Sequence, residues 1–287
     1  MRETALMSTP LGDTEVHDLW SESVGDTFRV FVGHCGPDPH AVLFLTDANG
    51  LFGLTVDTIR LMQVPAIVPS LLVVGVGYPD ADTVIDAVEI RTRDLTPTAS
   101  KYVKGSGHAD AFIEFLCSEL RPWLVDRYPA AADDVTYFGH SLGGLFGAYT
   151  LLTNTSTFDR YIVSSPSLWW DDEVIFDLER TLADGTNLSA DVFFGIGTLE
   201  TDAGRRLEAM NLPVGHPAKP PSAHLDMVDE MRRFVARLAS RNDATLQIAS
   251  VEVVDEFHAT VPGIVLSRAL RQFHPPAESR NAGTAEL

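Results

Sequence analysis

The stretch DVTYFGHSLGGLFGAYTLL, Asp134–Leu152, decides the fold. Its opening is β-branched and aromatic, the composition of a buried strand, and its second half is apolar at helix-compatible spacing with no proline. Between the two stands GHSLG, Gly139–Gly143. A serine on a strained strand-to-helix turn needs neighbours without bulk where the backbone passes close to both elements, and Gly139, Gly143, Gly144 and Gly147 supply them. Such a turn lifts the Ser141 hydroxyl above the sheet, and the new helix aims its first amides and positive dipole end at the same point. The Leu142 amide is then the natural donor to a developing oxyanion. A glycine-rich packing turn with an inert serine has the same bare pattern; the strand before and the helix after make it a nucleophile elbow.

Outward from this elbow, short apolar runs alternate with longer segments of helical period, the pattern of a largely parallel sheet covered on both faces. The strands read as 27–34, 41–46, 71–77, 134–139, 160–165, 191–198 and 245–254, and an amphipathic run near 14–20 is placed to pair at an edge. Phe112, Phe115, Leu116, Leu120 and Trp123 repeat at helical spacing, as do Leu225, Val228, Met231, Val235 and Leu238. Pro122 is expected to kink or shorten the first of these helices. No repeat, low-complexity linker or charge block marks a boundary, so residues 1–287 read as a single α/β domain with a polar tail, 275–287, expected to fray. The long irregular stretches 78–106 and 200–221 read as functional loops.

A serine hydroxyl is a poor nucleophile at neutral pH, so the elbow demands a histidine base and, behind it, a carboxylate to fix the imidazole tautomer. In this architecture the chain order is serine, acid, histidine, and the histidines after Ser141 are His216, His224, His258 and His274. His258 follows the last expected strand and precedes a helical segment, where a loop returns to the catalytic edge of the sheet; His224, at a helix start, is the alternative. For the acid, Glu200 stands just past the strand ending at Thr198, with Asp202 as the alternative and a simple Ser-His dyad also open. A second oxyanion donor is expected from the loop DANGLFG, at the amide of Asn49 or Ala48.

Composition narrows the partners. A net charge of −19 repels phosphate, so neither nucleic acid nor an anionic membrane surface is expected as partner. No apolar run is long enough to span a membrane, and the first twenty residues lack a secretory pattern, which makes the cytoplasm the default location. Cys35 and Cys117 are isolated and read as small buried hydrophobes. The chemistry needs no metal or organic cofactor.

The segments FLTDANGLF, VVGVGYP, RTRDLTPT, GHADAFIEFLCSELRPWL, TYFGHSLGGLFGAYTLL, SSPSLWWDD, GIGTLE and FHATVPGIVLSRAL resemble the esterase branch of the α/β-hydrolases. That branch includes ferric-siderophore esterases and is related to the esterase D and mycolyltransferase types. The resemblance spans about residues 15–275. It implies an α/β-hydrolase fold, Ser141 as nucleophile, His258 as base, Glu200 at the acid position, and the amides of Asn49 and Leu142 as oxyanion donors. Where the family usually has Asp-Gly-Asn, this chain has Asp47-Ala48-Asn49. The expected activity is hydrolysis of a small-molecule carboxylic ester or lactone through an acyl-enzyme. Acyl transfer to a non-water acceptor, as in the mycolyltransferase relatives, and a catalytically silent binding protein are the alternatives.

One charge anomaly bears on substrate. Between Arg91 and Lys104 stand Arg91, Arg93, Lys101 and Lys104 against the single carboxylate Asp94, in an otherwise acidic chain. As a basic rim of the cleft, Arg91 and Arg93 would recruit an anionic ester such as a ferric tricatecholate lactone; the alternative is that these residues pair with carboxylates and hold the loop down.

Overall fold

Two runs of the chain are apolar at every position, AVLFL at Ala41–Leu45 (β3) and LLVVGVG at Leu71–Gly77 (β4), and both are buried throughout. A strand buried on both faces belongs at the centre of a sheet with helices on either side. In the computed structural model, which describes residues 11–37, 39, 41–101, 103–128, 134–182, 186–204 and 226–274, both lie inside an eight-stranded sheet. The other strands are Thr14–Ser21 (β1), Asp26–Cys35 (β2), Val135–His140 (β5), Arg160–Ser164 (β6), Ala190–Gly197 (β7) and Leu246–Val253 (β8). Their spatial order is β1-β2-β4-β3-β5-β6-β7-β8, with β2 antiparallel to both its neighbours and every later pairing parallel. The expected strands are present to within one residue at each end, and the run near 14–20 is the edge strand β1.

Alternate side chains divide the core into two. Val42, Phe44, Leu72, Val74, Tyr137, Val163 and Phe194 face one hydrophobic cluster, while Leu43, Leu45, Val73, Phe138, Ile162 and Phe193 face the other. The second cluster is covered by Ala48–Gln63 (α1) and by Pro262–Phe273, the last helix (α8). The first is covered by Val88–Leu95 (α2), Ala109–Glu114 (α3), Arg121–Arg127 (α4), Leu142–Thr153 (α5), Trp170–Thr181 (α6) and Met227–Ser240 (α7). Pro122 acts differently from the expected kink: it sits in the first turn of α4, and Phe115–Leu120 before it widen into a π-helix, with the Arg121 N–H bonded back to the Leu116 carbonyl. A helix that widens by one residue per turn can absorb the proline's missing donor without ending. The tail 275–287 and most of the loop 200–221 lie outside the described residues. No described helix is long and apolar enough to cross a membrane.

The chain leaves β3 for β4 on one side and returns as β5 on the other, so α1 and α5 diverge to opposite faces. A crevice must open between the carboxyl ends of β3 and β5, the position at which such sheets bind ligands. Leu45 pairs with Phe138 in register, which brings Asp47–Asn49 and His140–Leu142 to that edge together.

Glu230 on α7 is an exception to the apolar lining. It is buried, and its Oε2 has no hydrogen-bond partner. Burial pushes its carboxyl up to about 8, and repulsion from Glu173, Asp226 and Asp229 adds to this against the opposing Arg233. The folded protein therefore holds a proton that the unfolded chain releases from about pH 4.5 upward, and stability falls as pH rises through that window to about 8. Glu230→Gln, which does not titrate, is expected to gain on the order of 4 kcal/mol over wild type between pH 5 and pH 9. Urea unfolding at the two pH values measures this difference.

Candidate active site

Ser141 joins β5 to α5 with φ 59° and ψ −118°, a conformation that costs a non-glycine residue about 1–3 kcal/mol. The surrounding backbone holds it there. The Ser141 N–H donates to the Ser164 carbonyl at 3.0 Å, and its own carbonyl accepts from the Leu145 and Ser167 amides, each at 3.0 Å. Beneath the turn, the buried Tyr137 hydroxyl donates to the Gly143 carbonyl at 2.7 Å; burial raises its pKa, so it stays a neutral donor. A β-carbon at Gly139 would collide with that carbonyl and with the Tyr137 hydroxyl, which is why the approach of strand to helix requires glycine.

Across the crevice, Asp47 caps α1 in a left-handed conformation, φ 58° and ψ 35°. Its carbonyl accepts from the Gly50 and Leu51 amides at 3.0 Å each. Ala48 and Asn49 are the first residues of α1, whose amides have no earlier turn to bond. The Asn49 side chain is used structurally: it accepts from the Tyr78 N–H at 2.9 Å and donates to the carbonyls of Tyr78 and Ala81 at 3.0 and 2.6 Å. The geometry thus sets helix-start amides on both sides of the crevice, Leu142 on one and Ala48 and Asn49 on the other.

Glu200 stands after β7 with no exposed surface. Its Oε1 accepts from the Ser165 hydroxyl at 2.6 Å and the Gly197 N–H at 2.9 Å, and its Oε2 pairs with His258 Nδ1 at 2.6 Å. Burial alone would raise this carboxyl, but the hydrogen bond and charge of His258, with Ser165 and Gly197, hold it below the ordinary glutamate value. Gly197 also lies where the His258 loop crosses: a β-carbon there would strike the Glu256 carbonyl, which itself accepts from the Leu199 N–H at 3.1 Å. The acid turn and the histidine loop are therefore fastened to each other. The His258 ring packs on that of His140, centroids 4.5 Å apart, directly beside Ser141. With Nδ1 taken by Glu200, Nε2 is the nitrogen left for chemistry. In this rotamer the Ser141 hydroxyl bonds Ser167 Oγ at 3.3 Å. Asp202 lies in the next turn, half-buried, and His274 lies beyond the far end of α8. His216 and His224 fall outside the described residues.

The two arginines expected at the rim are both paired with carboxylates. Arg91 is 6% exposed and forms a bidentate pair with buried Asp47, both contacts at 2.6 Å. Arg93 pairs with Asp94 and Asp26, each at 2.7 Å, and Asp94 also accepts from the Tyr78 hydroxyl at 3.1 Å. Both are paired with carboxylates of the acidic chain, the arrangement expected as the alternative to a recruiting rim. Removing either partner of Asp47–Arg91 would leave a buried charge uncompensated under the crevice, at about 3–5 kcal/mol.

The segment SSPSLWWDD carries part of the resemblance, but no motif assigns its serines a place in the site. Ser164, Ser165 and Ser167 are all buried, and the signal was three hydroxyls in SSPS following a strand buried nearly throughout.

Residues 38–241 match the model of the family described as Putative esterase. The chain is 28% identical to the ferri-bacillibactin esterase BesA of Bacillus subtilis, over 94% of this chain and 93% of the relative. It is 30% identical to the siderophore triacetylfusarinine C esterase of Aspergillus fumigatus, over 83% and 82%. Among solved structures, the BES protein of Bacillus cereus superposes with a TM-score of 0.77 at 25% identity, covering 94% of this chain and 98% of that one.

Proposed function

Because this chain belongs to the putative esterase family and is a serine esterase of the α/β-hydrolase fold, we propose that it hydrolyses siderophore esters through a Ser141-His258-Glu200 triad and an acyl-enzyme. The observation that carries the mechanism is the 2.6 Å contact between His258 Nδ1 and a fully buried, ionised Glu200. It fixes the tautomer that leaves Nε2 free to accept a proton.

In the first step, His258 Nε2 takes the proton of Ser141 Oγ as Oγ bonds to the ester carbonyl carbon. The oxygen charge that develops is held by the Leu142 amide and by the amide of Asn49 or its neighbour Ala48. The imidazolium, stabilised by Glu200, then gives its proton to the departing alcohol as the carbon–oxygen bond breaks. Water repeats the sequence on the acyl-serine and releases the acid. The substrate class rests on the relatives, whose names specify ferri-bacillibactin and triacetylfusarinine C, and not on Arg91 or Arg93.

The test has two arms. Rapid mixing with p-nitrophenyl acetate is expected to release a burst of about one equivalent of p-nitrophenolate per chain before the steady state, because an acyl-enzyme accumulates when its hydrolysis is the slower step. Incubation with an iron-loaded tricatecholate trilactone is expected to yield the linear esters, resolved by chromatography. No cleavage of the trilactone, with turnover of the aryl ester intact, would remove the siderophore assignment and keep the esterase; an ester formed with an added alcohol in preference to acid would make the chain a transferase.

A further inference from the structure

Strand order places the loop after β6 between the strand that ends at Ser141 and the strand that leads to Glu200. With the last residue of β6 that loop reads SSPS, Ser164–Ser167, and the three serines are at most 1% exposed. Each hydroxyl meets a different group of the site. Ser164 Oγ lies 3.0 Å from His140 Nδ1, Ser165 donates to Glu200 Oε1 at 2.6 Å, and Ser167 Oγ lies 3.3 Å from Ser141 Oγ. The backbone is fastened to both sides: the Ser165 N–H donates to Gly195 in β7 at 2.7 Å, and the Ser167 N–H donates to Ser141. Ser165 holds φ 41°, in the left-handed region where glycine sits without strain and a serine does not.

We infer that Ser165 is a positioning residue for the reaction, clamping Oε1 of Glu200 together with the Gly197 N–H so that Oε2 is presented to His258 Nδ1. The inference rests on the triad proposed above. A buried carboxylate held at one oxygen by two donors cannot rotate about its last torsion, and the imidazole hydrogen bond then has one direction. Without the hydroxyl, Oε1 keeps only the Gly197 N–H, and the carboxylate's orientation is held less tightly.

Ser165→Ala and Ser165→Gly are each expected to lower kcat for p-nitrophenyl acetate about tenfold with KM changed less than about twofold. Because Ser165 acts through Glu200, the same substitutions in a Glu200→Gln background are expected to cost less than about twofold, which a merely structural role would not produce. Ser165→Gly also relaxes the backbone, so it supplies the measurement even where Ser165→Ala folds poorly. Wild-type kcat in either single variant, recovery in the glycine variant alone, or full additivity with Glu200→Gln would each overturn the inference. If Glu200→Gln itself leaves kcat unchanged, the assignment of the acid has failed; if it is slow while Ser165→Ala is not, the failure is that of Ser165 alone.

Discussion

Ser141→Ala is expected to lower p-nitrophenyl acetate turnover by about 10⁴-fold or more while leaving the folded protein as stable as wild type. The loss is large because, among the described residues, no other hydroxyl or thiol at the crevice lies on a nucleophile elbow. Ser167 Oγ, the hydroxyl bonded to Ser141 in the resting rotamer, is buried in the loop after β6 and has no base of its own among the described hydrogen bonds. Stability is spared because the hydroxyl contributes one long hydrogen bond at 3.3 Å, whereas the elbow is held by backbone contacts at Ser164, Leu145 and Ser167 that alanine retains. Alanine also carries the same β-carbon at φ 59°, so the strain is unchanged. A melting temperature within about 2 °C of wild type, beside the lost turnover, separates chemistry from packing. Residual turnover above about a tenth of wild type would show that another residue is the nucleophile.

Why the elbow was legible and the acid's surroundings were not follows from how each is encoded. The elbow is local: a β-rich run, glycines at fixed offsets and an apolar helix all lie within Asp134–Leu152, so periodicity and sterics suffice. The strands were legible for the same reason, since a run such as Leu71–Gly77 is buried on both faces and says so at every position. Asp47–Arg91 joins residues 44 positions apart, and nothing in RTRDLTPT tells whether its arginines face solvent or a carboxylate. Charge counting leaves both readings open, and the site of Arg91 is decided by the β3–α1 turn, where a buried Asp47 needs a bidentate partner. Ser165 and Glu200 are likewise 35 positions apart and become neighbours only because β6 lies between β5 and β7. Strand order is a property of the whole sheet, and a single loop such as SSPS does not carry it.

That long-range assembly shapes the second large effect, at His258. His258→Ala is expected to reduce turnover of p-nitrophenyl acetate by about 10⁴-fold or more, because the proton of Ser141 then has no acceptor, while Glu200→Gln is expected to cost about 10²-fold. The ranking follows from what each group does. In the proposed triad Glu200 orients the ring and stabilises the imidazolium; a glutamine there carries no charge, and its single oxygen can serve either Nδ1 or the Ser165 and Gly197 donors but not both. The base moves the proton itself. His258→Ala has a further consequence that Ser141→Ala lacks. The bond from His258 is the strongest influence holding the Glu200 carboxyl down against burial, so its removal leaves burial to push that carboxyl up. In the wild type, a depressed carboxyl contributes stability above its unfolded value of about 4.5, and this is lost as pH falls through the folded value. In His258→Ala that contribution is gone and an ionised Glu200 is left with fewer partners, at a cost of about 1–3 kcal/mol at pH 7. Urea unfolding should therefore show His258→Ala less stable than wild type at pH 7, with the gap narrowing toward pH 5 as Glu200 takes up a proton. Comparable activity losses in His258→Ala and Glu200→Gln would mean that the carboxylate does more than orient; undiminished turnover in His258→Ala would place the base on a different histidine.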